Sequence, residues 1–278
     1  MTSDFDEASF ARVAITLRAY LGDIVFVGGW ACRLFRLHPL ALVPAFSPLM
    51  TRDVDIAAPV RLQRRSQTLR QLLIDASFKE LPSGDNDPPR TEYRLDDEGS
   101  AYVQFITPLT GSEHHRDGTP DATTRIQGVT AEKLRHIDLL LTAPWTIELT
   151  AATGYPVGLA PLPIKVCNPV SYLAQKVLSL PKRRSARRGK DVLYIHDTLL
   201  LFGGAFEDLR EIWSASVQPN LDKRALREVT QAPERLFGNA TDAARDAAVQ
   251  ARSTRGRTIR VDDLVAVCRR GLSEIFTG

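Results

Sequence analysis

The apolar positions near the start of the chain predict a helix and then a strand. Phe10, Val13, Leu17 and Leu21 recur at intervals of three or four residues, which is the spacing of one helix face. The run IVFV, residues 24–27, is short and apolar, as in a buried strand. Two glycines end this strand, and the sequence WACRLFRL then predicts the start of a second helix.

Elements of mixed type continue along the first half of the chain. Residues 53–58, DVDIAA, predict a strand, and the apolar positions of residues 62–76 have helical spacing. The segments RTEYRL, residues 90–95, and AYVQFITPL, residues 101–109, flank a polar turn and predict a hairpin. In residues 131–149 the pattern fits a helix and a strand equally well. This order of elements predicts a mixed sheet covered by helices.

From residue 168 onward the pattern is helical. Asn168 is placed to cap a helix, and Pro169 would occupy its first position. The stretch 153–166 is rich in glycine and proline and fits a domain boundary. We therefore predict an α/β (α+β) protein, with an N-terminal mixed-sheet domain at residues 1–160 and a C-terminal helical domain at residues 161–278.

The composition indicates the class of protein but says little about its function. The 278 residues are 44% hydrophobic and 25% charged, which is typical of a globular protein, and the net charge of +3 does not define a partner. Cys32, Cys167 and Cys268 form no CxxC pair, which favours a reduced protein. The chain has no apolar run near the ~20 residues that span a bilayer, and its acidic start lacks the features of a signal peptide. We expect a cytoplasmic location.

Gly28 and Gly29 lie where the first strand meets the second helix. A glycine after a strand lets the backbone approach a ligand closely, because no side chain intervenes. A helix that begins there would also favour an anion such as a phosphate. The alternative is a tight turn that only packs the helix against the strand.

Asp53 and Asp55 are separated by one residue on a predicted strand, so both side chains point to the same face. Two neighbouring carboxylates repel each other unless a cation lies between them, and Mg²⁺ with substrate phosphates is the usual solution. The alternative is a solvated strand end, with Arg52 neutralising one charge. A glycine turn and an Asp-x-Asp strand together would place an anion cradle beside a divalent metal, as needed to hold a nucleoside triphosphate.

At these two motifs the sequence resembles the polymerase-β-like nucleotidyltransferase superfamily, with GGWACR at 28–33 and TRDVDI at 51–56. Members typically have a Gly-Gly or Gly-Ser turn, followed by a hydroxyl residue and Asp-x-Asp. Thr51 and the two aspartates match the second motif, whereas Trp30 stands where members often have a small or hydroxylated residue. The spacing of the motifs looks like the AbiEii group of nucleotidyltransferase toxins. The resemblance implies that the mixed sheet is a nucleotidyltransferase core.

Two later segments, YLAQKVLSL and RRGKDVLYIHD, are similar to further motifs of that group. The resemblance implies that Lys176 contacts the triphosphate and that Asp191, or else Asp197, is the distal acidic residue. From the residues alone, the alternative for Lys176 is a solvated lysine. The alternative for Asp191 is a charge that is favourable at a helix start. Lys190 and Asp197 share a helix face, which favours Asp197 as a structural salt-bridge partner.

A basic run, PKRRSARRGK, occupies residues 181–190 between the two helices that carry these motifs. It is either a solvated loop or a cationic grip on a triphosphate or an RNA backbone. Arg188 and Lys190 are its candidate phosphate contacts, and Arg33, near the glycine turn, is a third.

A third carboxylate is missing where such enzymes commonly carry one, on the strand AYVQFITPL. The position there is Gln104, whose neutral amide can orient a hydroxyl but cannot act as a base. General-base help contributes about 10²–10⁴ in rate. Three alternatives stay open: another acid such as Asp138 replaces it, catalysis is slow, or activity is lost.

The sequence therefore predicts a metal-dependent nucleotidyltransferase of the EC 2.7.7 type. It would bind a nucleoside triphosphate with Mg²⁺ between the sheet and the helical domain, and an acceptor hydroxyl would attack the α-phosphorus. The resemblance implies a tRNA end as acceptor and a protein antitoxin as partner. The alternatives are transfer to a small molecule or a protein side chain, and a nucleotide- or RNA-binding module without catalysis.

Overall fold

The chain forms two compact units. The computed structural model of the protein describes residues 7–51, 53–95, 102–254 and 257–277. The first unit contains the residues up to Ala31 and Met50–Cys167, and the second contains Cys32–Leu49 and the chain from Asn168 onward. The division therefore lies after residue 167 rather than after residue 160, and an early segment belongs to the helical unit.

A mixed sheet forms the first unit. In chain order its strands are β1 (Val25–Val27), β2 (Asp53–Ala57), β3 (Lys79–Ser83), β4 (Arg90–Arg94), β5 (Tyr102–Pro108), β6 (Thr123–Ile126), β7 (Val129–Leu134), β8 (Trp145–Leu149) and β9 (Leu162–Val166). The hydrogen-bonded order is β3-β4-β5-β2-β1-β9-β8, with β7 pairing to β5 and β6 to β7. β1 is antiparallel to β2 and parallel to β9, whereas β5 is parallel to β2 and β7. The predicted mixed sheet is confirmed.

The central strands follow from their residue patterns. All three residues of β1 are buried, as expected for a strand with neighbours on both sides. In β2, Val54 and Ile56 are buried on one face, while Asp53 and Asp55 are half-buried on the other. The antiparallel register places Val27 opposite Asp55, so the end of β1 lies beside the acids.

The predicted hairpin is confirmed, because β4 and β5 are antiparallel with Tyr93 opposite Val103. The turn that joins them lies outside the described residues. The ambiguous stretch 131–149 contains both types of element: most of β7, a single-turn helix at Ile137–Leu140, and β8.

The predicted domain boundary at 153–166 is in part a strand. Leu162, Ile164 and Val166 are buried at alternate positions of β9, which pairs with β1 and β8 inside the sheet. The glycine and proline content of this stretch therefore marks a turn before a core strand rather than a linker.

An aromatic contact joins two of the helices of the first unit. The helices of this unit are α1 (Glu7–Thr16), α2 (Gly28–Leu34, which continues into the second unit), α3 (Leu69–Asp75) and α4 (Ile137–Leu140). Phe10 of α1 stacks on Trp30 of α2, with ring centres 4.3 Å apart. The predicted helix at 62–76 begins only at Leu69, where Thr68 forms a capping box with the first turn.

The second unit consists of helices. In chain order they are α5 (Pro169–Ser179), α6 (Ser185–Leu201), α7 (Phe206–Ile212), α8 (Lys223–Thr230), α9 (Ala232–Phe237), α10 (Asp242–Ala251) and α11 (Val261–Phe276). The side chain of Asn168 accepts a hydrogen bond of 2.8 Å from the backbone of Ser171, and Pro169 opens α5. The predicted cap is confirmed. Among the described residues, no helix has the length and apolar character needed to cross a membrane.

The early segment Cys32–Leu49 is built into the second unit by several contacts. The rings of Phe35 and Tyr172 meet edge to face at 5.6 Å. The backbone N–H of Leu42 donates a hydrogen bond of 2.7 Å to the carbonyl of Leu201 at the end of α6. This segment therefore forms part of the core of the helical unit.

A buried ion pair joins α6 to the segment before α11. Asp197 accepts hydrogen bonds from both terminal nitrogens of Arg257, and both residues are buried. The guanidinium of Arg257 also lies 3.9 Å from the ring centre of Phe46. Asp197 therefore has the predicted structural role, but its salt-bridge partner is Arg257 rather than Lys190. The ammonium group of Lys190 lies instead 5.6 Å from the ring centre of Tyr194.

Candidate active site

The backbone of Gly28 lies directly against the carboxylate of Asp55. Gly28 has a φ of +65°, and a Cβ added there would lie 2.9 Å from Cγ of Asp55 and closer still to its Oδ2. A side chain at this position would therefore collide with the acid and would also strain the backbone. The glycine turn and the Asp-x-Asp strand are adjacent in the folded chain because β1 pairs with β2.

Asp53 is held by the residue that precedes the acid pair. Thr51 is buried, and its hydroxyl donates a hydrogen bond to Oδ1 of Asp53. The hydroxyl residue of the motif thus orients the first carboxylate. Arg52, the alternative partner for these acids, lies outside the described residues.

Asp55 is held by an amide on the neighbouring strand. Gln104 lies opposite Asp55 in the β2–β5 register, and its Nε2 donates a hydrogen bond to Oδ1 of Asp55. Arg90 donates a hydrogen bond of 2.5 Å to Oε1 of the same amide. The Nε of Arg90 lies 3.6 Å from Glu132 on β7. A chain of polar contacts therefore runs from β7 through β4 and β5 to the acid pair.

Tyr102 completes this face of the sheet opposite Asp53. Burial, together with the negative charges of Asp53 and Glu92, raises the pKa of Tyr102 to about 12. Its phenol therefore stays protonated near neutral pH and is not available as a base.

The residues that follow Gly28 lie in α2. Gly29 is its second residue, and Trp30 is fully buried against Phe10. The tryptophan that departs from the family motif therefore belongs to the core. Arg33, a predicted phosphate contact, is a buried residue of α2 in the second unit.

The acid pair has the chemistry of a divalent cation site. Two half-buried carboxylates share one face, as a divalent cation requires, and Gly28 packs against Asp55 at a position where any Cβ would collide with its carboxylate. Within the described ranges, no three His, Cys, Asp or Glu side chains gather as a metal-binding group. Asp138, the predicted substitute base, is exposed in α4 beyond the carboxyl end of β7, so the structure does not bring it to the acids.

Lys176 and Asp191 pair with each other inside the second unit. The Nζ of Lys176 lies 2.6 Å from Oδ1 of Asp191, and the ammonium group is 5.3 Å from the ring centre of Tyr172 and 5.2 Å from that of Tyr194. Arg183 contacts the other oxygen of Asp191 at 3.2 Å. Both members of the pair are buried, so the alternative of a solvated lysine is wrong. Their predicted roles toward a triphosphate stay predictions.

Most of the basic run 181–190 is not a loop. α6 begins at Ser185, so the later basic residues form its first turns. Arg188 donates hydrogen bonds of 2.9 Å and 3.0 Å to the carbonyls of Arg183 and Pro181 and thereby closes the turn before the helix. Its guanidinium has a structural task in addition to any contact with phosphate.

Two residues of the polar chain were missed in the sequence. Arg90 and Glu132 are connected to the acid pair through Gln104. A signal was present in RTEYRL, where charged residues alternate along β4. The face that they share with Gln104, however, is set by the register across the hairpin.

Comparison with known proteins identifies the class. A family model described as Nucleotidyltransferase matches residues 10–218, and the chain belongs to this family. The matched region contains the glycine turn, the acid pair and the Lys176–Asp191 pair. No curated protein sequence matches the chain.

Two solved structures are similar to the chain at low identity. One is an antigenic nucleotidyltransferase-like protein from Paracoccidioides brasiliensis, with 18% identity and a TM-score of 0.36 over 68% of this chain and 75% of that one. The other is MenT4, a nucleotidyltransferase toxin from Mycobacterium tuberculosis, with 16% identity and a TM-score of 0.36 over 97% of this chain and 84% of that one.

Replacing Gly28 with alanine tests the close approach to Asp55. We expect Gly28→Ala to lower the free energy of unfolding by at least about 1–2 kcal/mol, because an L-residue is strained at this φ and its Cβ meets the carboxylate. Gly22→Ala is the matched control, since nothing lies within 4 Å of a Cβ there. Urea denaturation measures both variants, and equal stabilities would contradict the geometry.

Removing Lys176 tests the buried pair of the second unit. Lys176→Met should lower the free energy of unfolding by about 3–5 kcal/mol, because it leaves the buried carboxylate of Asp191 undercompensated. Arg245→Met provides the control, because its ion pair with Asp242 is exposed and should contribute less than about 1 kcal/mol. A loss in Lys176→Met no greater than in the control, measured by urea denaturation, would show that the pair adds little stability.

Proposed function

We propose that the protein transfers a nucleotidyl group from a nucleoside triphosphate to an acceptor hydroxyl, with Mg²⁺ as cofactor. One observation carries the proposal: the backbone of Gly28 lies against Asp55, so the turn that would admit phosphates is adjacent to the acids that would hold the cation. The family to which the chain belongs supports the same reaction class.

The acid pair and its supports have distinct tasks in this proposal. Asp53 and Asp55 would hold Mg²⁺, which when bound neutralises charge on the triphosphate. Thr51 and Gln104 keep the two carboxylates in place by donating a hydrogen bond to each. Gly28, which has no side chain, lets the turn that would admit the phosphates lie directly against Asp55.

The chemical step forms one bond and breaks another. The acceptor oxygen attacks the α-phosphorus, the bond to the β-phosphate oxygen breaks, pyrophosphate leaves, and the acceptor proton is released. Gln104 cannot take that proton, and Tyr102 stays protonated. Because general-base help contributes about 10²–10⁴ in rate, we expect slow turnover unless the substrate or water accepts the proton.

The acceptor that we propose is RNA, specifically a tRNA end, and the partner is a protein antitoxin. The support is the resemblance of the glycine turn, the acid pair and the Lys176 helix to AbiEii-type toxins. By the same resemblance Lys176 and Asp191 act in the reaction. Arg33, Arg188 and Lys190 are proposed as further phosphate contacts because of their positive charge and their position in the chain, beside the glycine turn and in the basic run. A toxin role requires that expression of the wild-type protein, but not of Asp53→Ala, arrests growth.

Labelled nucleotides test the reaction directly. The full-length protein is incubated with each of the four α-labelled nucleoside triphosphates, Mg²⁺ and total tRNA, and label in RNA is measured. We expect transfer to RNA that falls by more than about 100-fold in Asp53→Ala, because even indirect partners of metal ligands contribute 10–100-fold. Asp138→Ala is the matched acid control and should retain transfer, because Asp138 is exposed in α4.

The other outcomes separate the rival functions. Label on protein or on a small molecule would replace RNA as the acceptor. Binding of nucleotide or RNA without transfer of label would favour a non-catalytic module, for which the neutral Gln104 is the supporting observation. Transfer that persists in Asp53→Ala would overturn the assignment of the acid pair.

A further inference from the structure

We infer that Gln104, locked by Arg90, restricts the acid pair to a single divalent cation. This inference rests on the proposed function, because it concerns the cation that Asp53 and Asp55 would hold. It assigns to Gln104 and Arg90 a positioning role that neither the acid pair nor the glycine turn provides.

The orientation of the Gln104 amide is fixed by its two neighbours. A guanidinium can only donate hydrogen bonds, so the amide oxygen must face Arg90, at 2.5 Å. An ionised carboxylate can only accept, so the amide NH₂ must face Asp55. Turning the amide over would set donor against donor and acceptor against acceptor. Both contacts therefore favour the same orientation.

This orientation turns a cation-repelling group toward the acids. Mg²⁺ and similar cations take oxygen ligands, and an amide can offer its carbonyl oxygen but not its NH₂. Here the carbonyl oxygen is committed to Arg90 and the N–H bonds point at Asp55. The guanidinium behind the amide adds a positive charge on the same side. Two-metal sites, by contrast, need ligands that reach both ions.

Hydrogen bonds also hold each of the two carboxylates in a fixed position. Oδ1 of Asp53 accepts from Thr51, and Oδ1 of Asp55 accepts from Gln104. Each carboxylate therefore has one oxygen engaged in support. Within the described residues, no third acidic, His or Cys side chain joins Asp53 and Asp55 in a metal-binding group.

Counting bound Mn²⁺ tests the inference without measuring activity. Mn²⁺ is titrated into the full-length protein, free Mn²⁺ is followed by electron paramagnetic resonance, and ions lost in Asp53→Ala are counted as belonging to the site. We expect one ion in the wild type and two in Gln104→Glu, where a carboxylate replaces the amide. Gln71→Glu is the matched control and should keep one ion, because position 71 is the third residue of a helical capping box that accepts Glu equally well.

A second pair of variants tests whether Arg90 fixes the orientation of the Gln104 amide. Arg90→Gln removes the donor that orients the amide, so a second and weaker Mn²⁺ site should appear. Arg94→Gln on the same strand should keep one ion, because Arg94 pairs with Glu92 instead. If Arg90→Gln binds the same number of Mn²⁺ ions as the wild type, Arg90 does not restrict the site through Gln104.

The outcomes separate this inference from the proposed function. Two site-specific ions in the wild type, or one in Gln104→Glu, would overturn the single-cation inference while transfer of label could still depend on Asp53. A wild type that binds no site-specific Mn²⁺ and transfers no label would instead overturn the proposed function.

Discussion

The pairing of β1 with β2 is the constraint on which the candidate site depends. It is antiparallel and sets Val27 opposite Asp55, so the chain leaves β1 at the point where the acids emerge from β2. The next residue must turn into α2 without a side chain, because the carboxylate of Asp55 occupies the space that a Cβ would need. One strand pairing therefore determines the position of the acids, the identity of Gly28 and the start of α2. The supporting hydrogen bonds of Thr51 and Gln104 act on acids that the sheet has already placed.

Local rules in the sequence were sufficient for much of the fold. Short apolar runs predicted β1 and β2, a polar turn between alternating segments predicted the β4–β5 hairpin, and Asn168 with Pro169 predicted the start of α5. The predictions of secondary structure were wrong where the composition of a segment and its hydrophobic periodicity disagreed. Glycine and proline in residues 153–166 concealed β9, and the basic residues before Lys190 concealed the first turns of α6. In both places the structure follows burial and helix geometry rather than average composition.

The candidate site was predictable only where neighbours lie close in sequence or alternate along one strand. Asp53 and Asp55 share a face because they are two residues apart, and Gln104 could be located by the same alternation. The contact of Arg90 with Gln104 could not be predicted, because it depends on the register across a hairpin. Burial of Lys176 was equally hidden, because its partner Asp191 lies fifteen residues later on another helix. A buried and a solvated lysine have the same local sequence.

The early segment Cys32–Leu49 has a consequence for how the protein can be divided. The chain leaves the first unit after Ala31, returns at Met50 and leaves again after Cys167, so covalent connections join the two units at three places. No single cleavage or truncation can release either unit intact. A fragment that begins at Asn168 would lack the Phe35 ring that packs on Tyr172. Gene fusions, limited proteolysis and domain exchange in such a protein must therefore treat the helical unit as a discontinuous stretch of polypeptide.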